Sequence, residues 1–313
     1  MMTYLLKRLG LAALVVVAVL LLLFSMLHMI PGNPAILALG TRASPEAIAE
    51  YTARMRLDEP VLVQFTHFLG NALQGDLGED VFSNRPVTAI IGERIGFTLA
   101  LICTGMGWAV LLGIPLGCLA AVRPGSWLDR VTGVFSVGMI AVPSFLVSIW
   151  ALLLFSLQLR WLPAIGAGEP GDLGDQLTHL VLPAFAIGLG WVGYLARMVR
   201  ASMLEVMGEP YIRSARAFGL TDRRVNGYAL RVAIQPTITL IGMGFGGLIS
   251  SAVFAEIIFA RPGLGKMIFD AVSDRNFPIV QGGVLVATGF YITVVLISDL
   301  LIAWLDPRVR SSL

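Results

Sequence analysis

Charge is what this chain of 313 residues has least of: Asp, Glu, Lys and Arg make up 13% of it, about half the share carried by an ordinary soluble domain. A surface so poor in charge faces lipid over much of its area, which excludes a freely soluble globular protein. Cysteine is scarce too. Cys103 and Cys118 lie in one apolar run, and the helix between them would hold their Cα atoms about 22 Å apart, beyond disulfide reach. The histidines, His28, His67 and His179, show no metal-ligand spacing. The sequence also has no Gly-x-x-x-x-Gly-Lys-[Ser/Thr] phosphate loop, no serine nucleophile elbow and no His-Glu-x-x-His motif. The chain is therefore read as a non-enzyme, with no catalytic residue, no metal and no cofactor of its own.

Long apolar runs are what it has instead. A membrane helix needs about 20 predominantly apolar residues, and six segments qualify: 9–30, 97–122, 131–157, 180–197, 232–258 and 283–305. The first follows Lys7-Arg8 but is longer than a signal-peptide core and ends in Ile30-Pro31-Gly32-Asn33-Pro34 without a cleavage pattern, so it reads as an uncleaved helix. With the N-terminus inside, pieces 1–8, 123–130, 197–231 and 306–313 hold 13 of the 22 basic residues and 5 of the 20 acids. Positive charge collects on the cytoplasmic side, and both termini are expected there. The fold class expected is an all-α integral membrane protein with six transmembrane helices. Its parts are a tail and first helix at 1–30, an external helical subdomain at 31–96, a five-helix core at 97–305 and a tail at 306–313. The core carries a cytoplasmic loop at 198–231 and an external loop at 259–282.

In the external subdomain, Ser44-Pro45-Glu46 is a helix start, with a serine cap, proline in the first turn and an acid beside it. A second helical pattern runs from Pro60 to Gln74, with Val61, Phe65, Phe68, Leu69 and Leu73 on one side and Gly75 as its stop. This subdomain is either a docking platform for a substrate-delivering protein or a cap over the bundle, and position alone does not decide.

Residues 197–231, on the cytoplasmic side, carry seven arginines (197, 200, 213, 216, 223, 224 and 231). Within this stretch, Glu209 to Gly219 spells a short helix, with Pro210 at its start and Gly219 past its end. Tyr211, Ala215 and Phe218 are expected on one face, Arg213 and Arg216 on another. So short a helix needs a packing partner, which is either a protein or an anionic membrane surface. The run Tyr211-Ile212-Arg213-Ser214-Ala215-Arg216-Ala217-Phe218-Gly219 resembles the coupling-helix motif of ABC importer permeases in its dipeptide/oligopeptide (peptide/nickel) form, with Ser214 where threonine is usual. Ala229-Leu230-Arg231 and Pro236 continue the likeness. So do Phe254-Ala255-Glu256, Arg261-Pro262-Gly263-Leu264-Gly265 and Asn276-Phe277-Pro278, the last with Asn-Phe where the family more often has Asp-Tyr. Ile30 to Ala35, Gly75-Asp76-Leu77-Gly78 and Arg85-Pro86-Val87 fit as well.

The resemblance covers nearly the whole chain, and the long loop after the first helix is similar to that of the B-type permease. It implies the type I ABC importer permease fold and an inner-membrane location. It also implies a C-type partner permease, two ATPase subunits holding ATP and Mg, an extracytoplasmic substrate-binding protein and alternating access. Under it, Glu209, Tyr211, Arg213, Ser214, Ala215, Arg216, Ala217, Phe218 and Gly219 form the ATPase-coupling site. The family's substrates are peptides, with glutathione, nickel complexes and some sugars as alternatives. Asp299 lies deep in the last apolar segment, where an acid is functional by default, and with Glu256, Pro262, Gly263 and Gly265 it is a candidate for the translocation path or external gate. An ion-coupled secondary transporter is the competing class, and nothing calls for a nucleic-acid partner.

Overall fold

Apolar runs with capped or proline-marked starts make an all-helical chain. The computed structural model describes residues 2–29, 34–40 and 43–305. Among them no strand forms, and one isolated β-bridge pairs Glu79 with Pro86. In chain order the helices are α1 (Met2–His28), α2 (Pro34–Leu39), α3 (Pro45–Arg54), α4 (Val61–Leu73), α5 (Val87–Val122) and α6 (Trp127–Ala141). Then come α7 (Ser144–Ala151), a π-helical stretch (Leu152–Gln158), α8 (Leu173–Met207), α9 (Pro210–Ala217), α10 (Asp222–Ala233), α11 (Gln235–Ile258), α12 (Leu264–Ser273) and α13 (Phe277–Leu305). The 306–313 tail and most of the Ile30–Pro34 motif lie outside the described residues.

Among the described residues, α5, α8, α11 and the Phe277–Ser298 part of α13 are long and apolar enough to cross a membrane. The segment expected as one span at 131–157 is broken instead: α6 and the helix after it meet at 99°. Pro143 caps α7, and Val142 before it is extended (φ −88°, ψ 121°), as a residue preceding proline is pressed to be. By contrast, Pro115 and Pro183 sit inside α5 and α8. The described apolar stretch of α1, Gly10–Met26, is shorter than the other spans.

One compact unit comprises residues 1–96 and 262–293. Ser44 caps α3 by accepting the Ala47 N–H at 3.2 Å, with Pro45 in the first turn. Part of the apolar face of α4 packs on α1, where the Phe24 ring lies 5.6 Å from Phe65 and 5.5 Å from Phe68. Leu73 and Val61 of that face stay exposed. Leu77, Val87, Ile91, Leu264, Ala271, Ile279 and Val280 form a separate core in this unit.

The second unit comprises residues 97–261 and 294–313. Here α8 is the hub, with α6, α7, α10 and α11 packed along it. Its approach to α5 depends on glycine. A Cβ on Gly117 would lie 2.5 Å from the Ala196 carbonyl, and one on Gly188 would lie 2.4 Å from the Gly105 carbonyl. Small residues of this kind let helix backbones close up in lipid. Two glycines of α11 also pack closely within this unit: a Cβ on Gly242 would meet Ser298, and one on Gly244 would meet Met106 and Trp191.

Candidate functional site

The helix α9 is built from both ends and one side. Glu209 precedes it in extended conformation (φ −69°, ψ 147°), and Pro210 opens its first turn. Its C-terminus closes through two reverse hydrogen bonds, Leu220 N–H to the Ala215 carbonyl at 3.2 Å and Gly219 N–H to the Arg216 carbonyl at 2.9 Å. This pattern requires a left-handed residue at position 219, which glycine supplies at φ +78°. Inside the helix, the Ser214 hydroxyl donates to the Pro210 carbonyl at 3.2 Å.

The side that seats α9 within the chain is centred on Ile212, which the sequence reading did not assign to a face. Ile212 is 1% exposed and sits among Ala121, Val199, Met203, Val225, Ala229 and Ala233, with Ala215 and Leu220 packed beside it. Tyr211 is 47% exposed and Phe218 85%. The seat is thus Ile212 and Ala215, three residues apart on one face, followed by Leu220 after the turn. Tyr211 and Phe218 stand away from that seat. The sequence signal for Ile212 was present: it is the one aliphatic residue larger than alanine in the helix.

Arg213, Ser214, Arg216, Ala217 and Gly219 are exposed beside the two aromatic residues. Arg213 and Arg216, with Arg223, Arg224 and Arg231 of α10, make no ion pair with an acid among the described residues. Two exposed aromatic residues sharing a short helix with two arginines that have no acid partner among the described residues, on a helix fixed from behind, suit an acidic protein groove.

A second contact steadies the same end of the bundle. Asp129, 6% exposed, accepts from Arg200 Nη2 at 2.8 Å and from the Gly125 N–H at 2.9 Å, while Arg200 Nε also donates to it. The turn between α5 and α6 is thereby tied to α8. Sequence reading counted Arg200 among the loop arginines but did not single out Asp129, whose partner lies 71 residues away.

The residues suggested for a path or gate fall in both units. Glu256, near the end of α11, is fully buried and accepts a hydrogen bond from the Thr98 hydroxyl at 2.6 Å. Arg261, 3% exposed, lies with its guanidinium carbon 5.5 Å from the Phe97 ring centre. In the other unit, Gly263 precedes α12 in extended conformation, Gly265 is buried in its first turn and Pro262 is half-buried. The backbone of Asp299 is helical within α13, and its side chain lies outside the described residues.

Comparisons with known proteins agree with this architecture. Residues 113–311 match the family described as binding-protein-dependent transport system inner membrane component. Residues 1–102 match the N-terminal family of the same membrane components. The chain is 38% identical over 313 residues to the glutathione transport system permease protein GsiC of Salmonella choleraesuis, with 99% of each chain covered. It is 37% identical to the protein of that name from Escherichia coli, again with 99% of each covered. In fold it is similar to the inward-facing MetNI methionine ABC transporter (TM-score 0.55, 16% identity, 69% of this chain and 96% of that one). A further likeness is to an amino acid ABC transporter crystallised with histidines (TM-score 0.50, 19% identity, 71% and 94% covered). The chain belongs to the binding-protein-dependent transport family of inner-membrane components, and it is a multi-pass permease subunit of an ABC importer, not an enzyme.

Proposed function

We propose that this permease admits short peptides, glutathione among them, and that α9 is the helix through which ATPase subunits drive it. The observation that carries the proposal is the division of α9 into a seated face at Ile212 and a free face of Tyr211, Phe218, Arg213 and Arg216. The relatives named as glutathione permeases support the substrate class, glutathione being itself a tripeptide. In this reading both termini and the 198–231 loop are cytoplasmic. A C-type permease completes the bundle, two ATPases bind ATP and Mg below it, and a substrate-binding protein delivers from outside. Closure of the ATPase pair moves α9, and the permeases exchange an inward-open for an outward-open arrangement, with ATP binding as the bias on a two-state element.

The test is copurification of the tagged chain with the products of its neighbouring genes, followed by ATPase and peptide-uptake assays on Arg216→Glu and Gly219→Trp. The expected result is an ATPase that copurifies with the wild type and is released or uncoupled by either substitution. Uptake that follows an ion gradient with no ATPase bound would overturn the reading.

A further inference from the structure

The unit formed by residues 1–96 and 262–293 contains a cavity of about 390 Å³, the lower end of the range for small-molecule sites. Its apolar wall includes Phe24, Phe68, Leu77 and Phe277. Two carboxamides are set into that wall: Gln64 and Gln281 are 8% and 7% exposed. Gln64 spends its amide N–H on the Glu59 carbonyl at 2.8 Å. The side chain of Gln281 makes no hydrogen bond among the described residues, although it is more than nine-tenths buried, and it borders the cavity. An amide that opens only to the cavity, without a protein partner, is free to pair with a group placed there. Asn71, on an exposed position of α4, adds a third carboxamide to the lining.

Charge of both signs surrounds these groups. Arg54, Arg56 and His67 contribute cationic or titratable nitrogen, and Asp76 and Glu79 contribute carboxylates. Arg56 Nη1 lies 2.7 Å from His67 Nε2, but the ion pairs are long: Arg54 lies 3.4 Å from Glu79, and Arg56 lies 3.6 Å from Glu59 just outside the lining. Exposed pairs of this kind are worth little, so a ligand bearing both charges can replace them. Unpartnered amides, aromatic walls and opposite charges at one rim match a zwitterion with amide bonds and an apolar side chain.

We infer that this cavity binds a short zwitterionic peptide on the permease itself, separately from the substrate-binding protein. The inference rests on the peptide reading above, and it assigns the site to the side from which solute arrives.

The experiment uses the full chain copurified with its partner permease and ATPases in nanodiscs, without the binding protein. Glutathione and trialanine are titrated by calorimetry, with N-acetyl-trialanine amide as the uncharged control. Both zwitterions are expected to bind saturably and the control weakly. Asn71→Trp, which adds bulk to the lining from an exposed helix position, and Gln281→Leu are expected to weaken binding ~10-fold or more, the worth of one or two hydrogen bonds. Retained ATPase copurification shows that each variant is folded. No saturable binding, equal binding of the uncharged control, or full affinity in folded Asn71→Trp overturns the site. Peptide uptake with the binding protein added decides the transport reading separately. Uptake lost in Arg216→Glu, with peptide affinity unaltered in Asn71→Trp, would remove the cavity and leave the importer.

Discussion

The side-chain amide of Asn276 donates to the Asp80 carboxylate across 196 residues of sequence, with the two side chains 3% and 7% exposed. Asp80 also accepts the Phe82 N–H at 3.3 Å, the Ser83 N–H at 3.0 Å and the Ser83 hydroxyl. One carboxylate thus organises the turn after Gly78 and fastens it to the turn between α12 and α13. An acid at position 276 would face Asp80 directly. Asn276→Asp is expected to cost about 3 kcal/mol at neutral pH as an uncompensated buried charge, read as a lower melting temperature that recovers on acidification.

Asp80 also sets a pH dependence. Burial raises its pKa, but the donors from Ser83, Asn276 and the Phe82 and Ser83 N–H groups outweigh burial and hold it below the ordinary 3.8. A lowered folded value gives stability that is present above the unfolded pKa of about 3.9 and is lost as pH falls through the folded one. The difference in melting temperature between wild type and Asp80→Asn is expected to be constant from pH 7 to about pH 5 and to shrink below pH 4. A difference that grows on acidification would contradict this.

Tyr51 packs with Ala35 and Phe277 at 3% exposure, and its hydroxyl has no partner among the described residues. Burial pushes its pKa up to about 12, against a smaller opposing effect of Arg54. Removing an orphaned hydroxyl is neutral or stabilising by up to about 1 kcal/mol, so Tyr51→Phe should melt at or above the wild-type temperature. The raised value carries a second consequence. Stability from the neutral phenol is present below about pH 10 and lost as pH approaches 12, a loss that Tyr51→Phe should lack.

Seat and surface of α9 separate by mutation. Ile212→Ala empties a fully buried position and is expected to cost about 2–4 kcal/mol, seen as a lower melting temperature and faster proteolysis within 198–231. Phe218→Ala, at a residue 85% exposed, should leave melting unchanged while weakening ATPase copurification. Equal thermal effects of the two would refute the division of faces.

The α5–α8 contact makes a prediction in glycine. A Cβ on Gly188 would come 2.3 Å from Trp108 Nε1 and 2.4 Å from the Gly105 carbonyl, whereas one on Gly107 meets nothing within 4 Å. The Trp108 indole is itself held, donating to the Ala184 carbonyl at 2.7 Å. Gly188→Ala should therefore destabilise by about 2 kcal/mol or more, and Gly107→Ala should be neutral or stabilising. Detergent melting curves of the two variants make the comparison.

What sequence made legible was local. The Ser44 cap, Pro45 and Pro210 in first turns, and Gly75 and Gly219 past helix ends are each where short-range stereochemistry put them. The arrangement around α9 was half legible. Its boundaries followed from proline and glycine, but its facing did not, because Tyr211 and Phe218 are as apolar as a core residue and only tertiary contact shows which side is covered. Long-range relations left no local trace. Thr98 and Glu256 are 158 residues apart, and neither Asp129 nor Gln281 stands in a pattern that names its surroundings. The segment 131–157, read as one span, is broken at Pro143, where the missing N–H is joined by an extended Val142.

The seat of α9 has a mechanical meaning. Val199 and Met203, which hold Ile212, belong to the far end of α8, a helix of 35 residues and so about 52 Å long. Further up, the same helix approaches α5 so closely at Gly188 and Ala196 that a Cβ on Gly188 or on Gly117 would clash with the facing carbonyl. A rod gripped along its length and loaded at one tip works as a lever. In the proposed coupling role of α9, force applied at Ile212 would pass along α8 toward its contact with α5, a contact whose closeness is set by glycine rather than by charge.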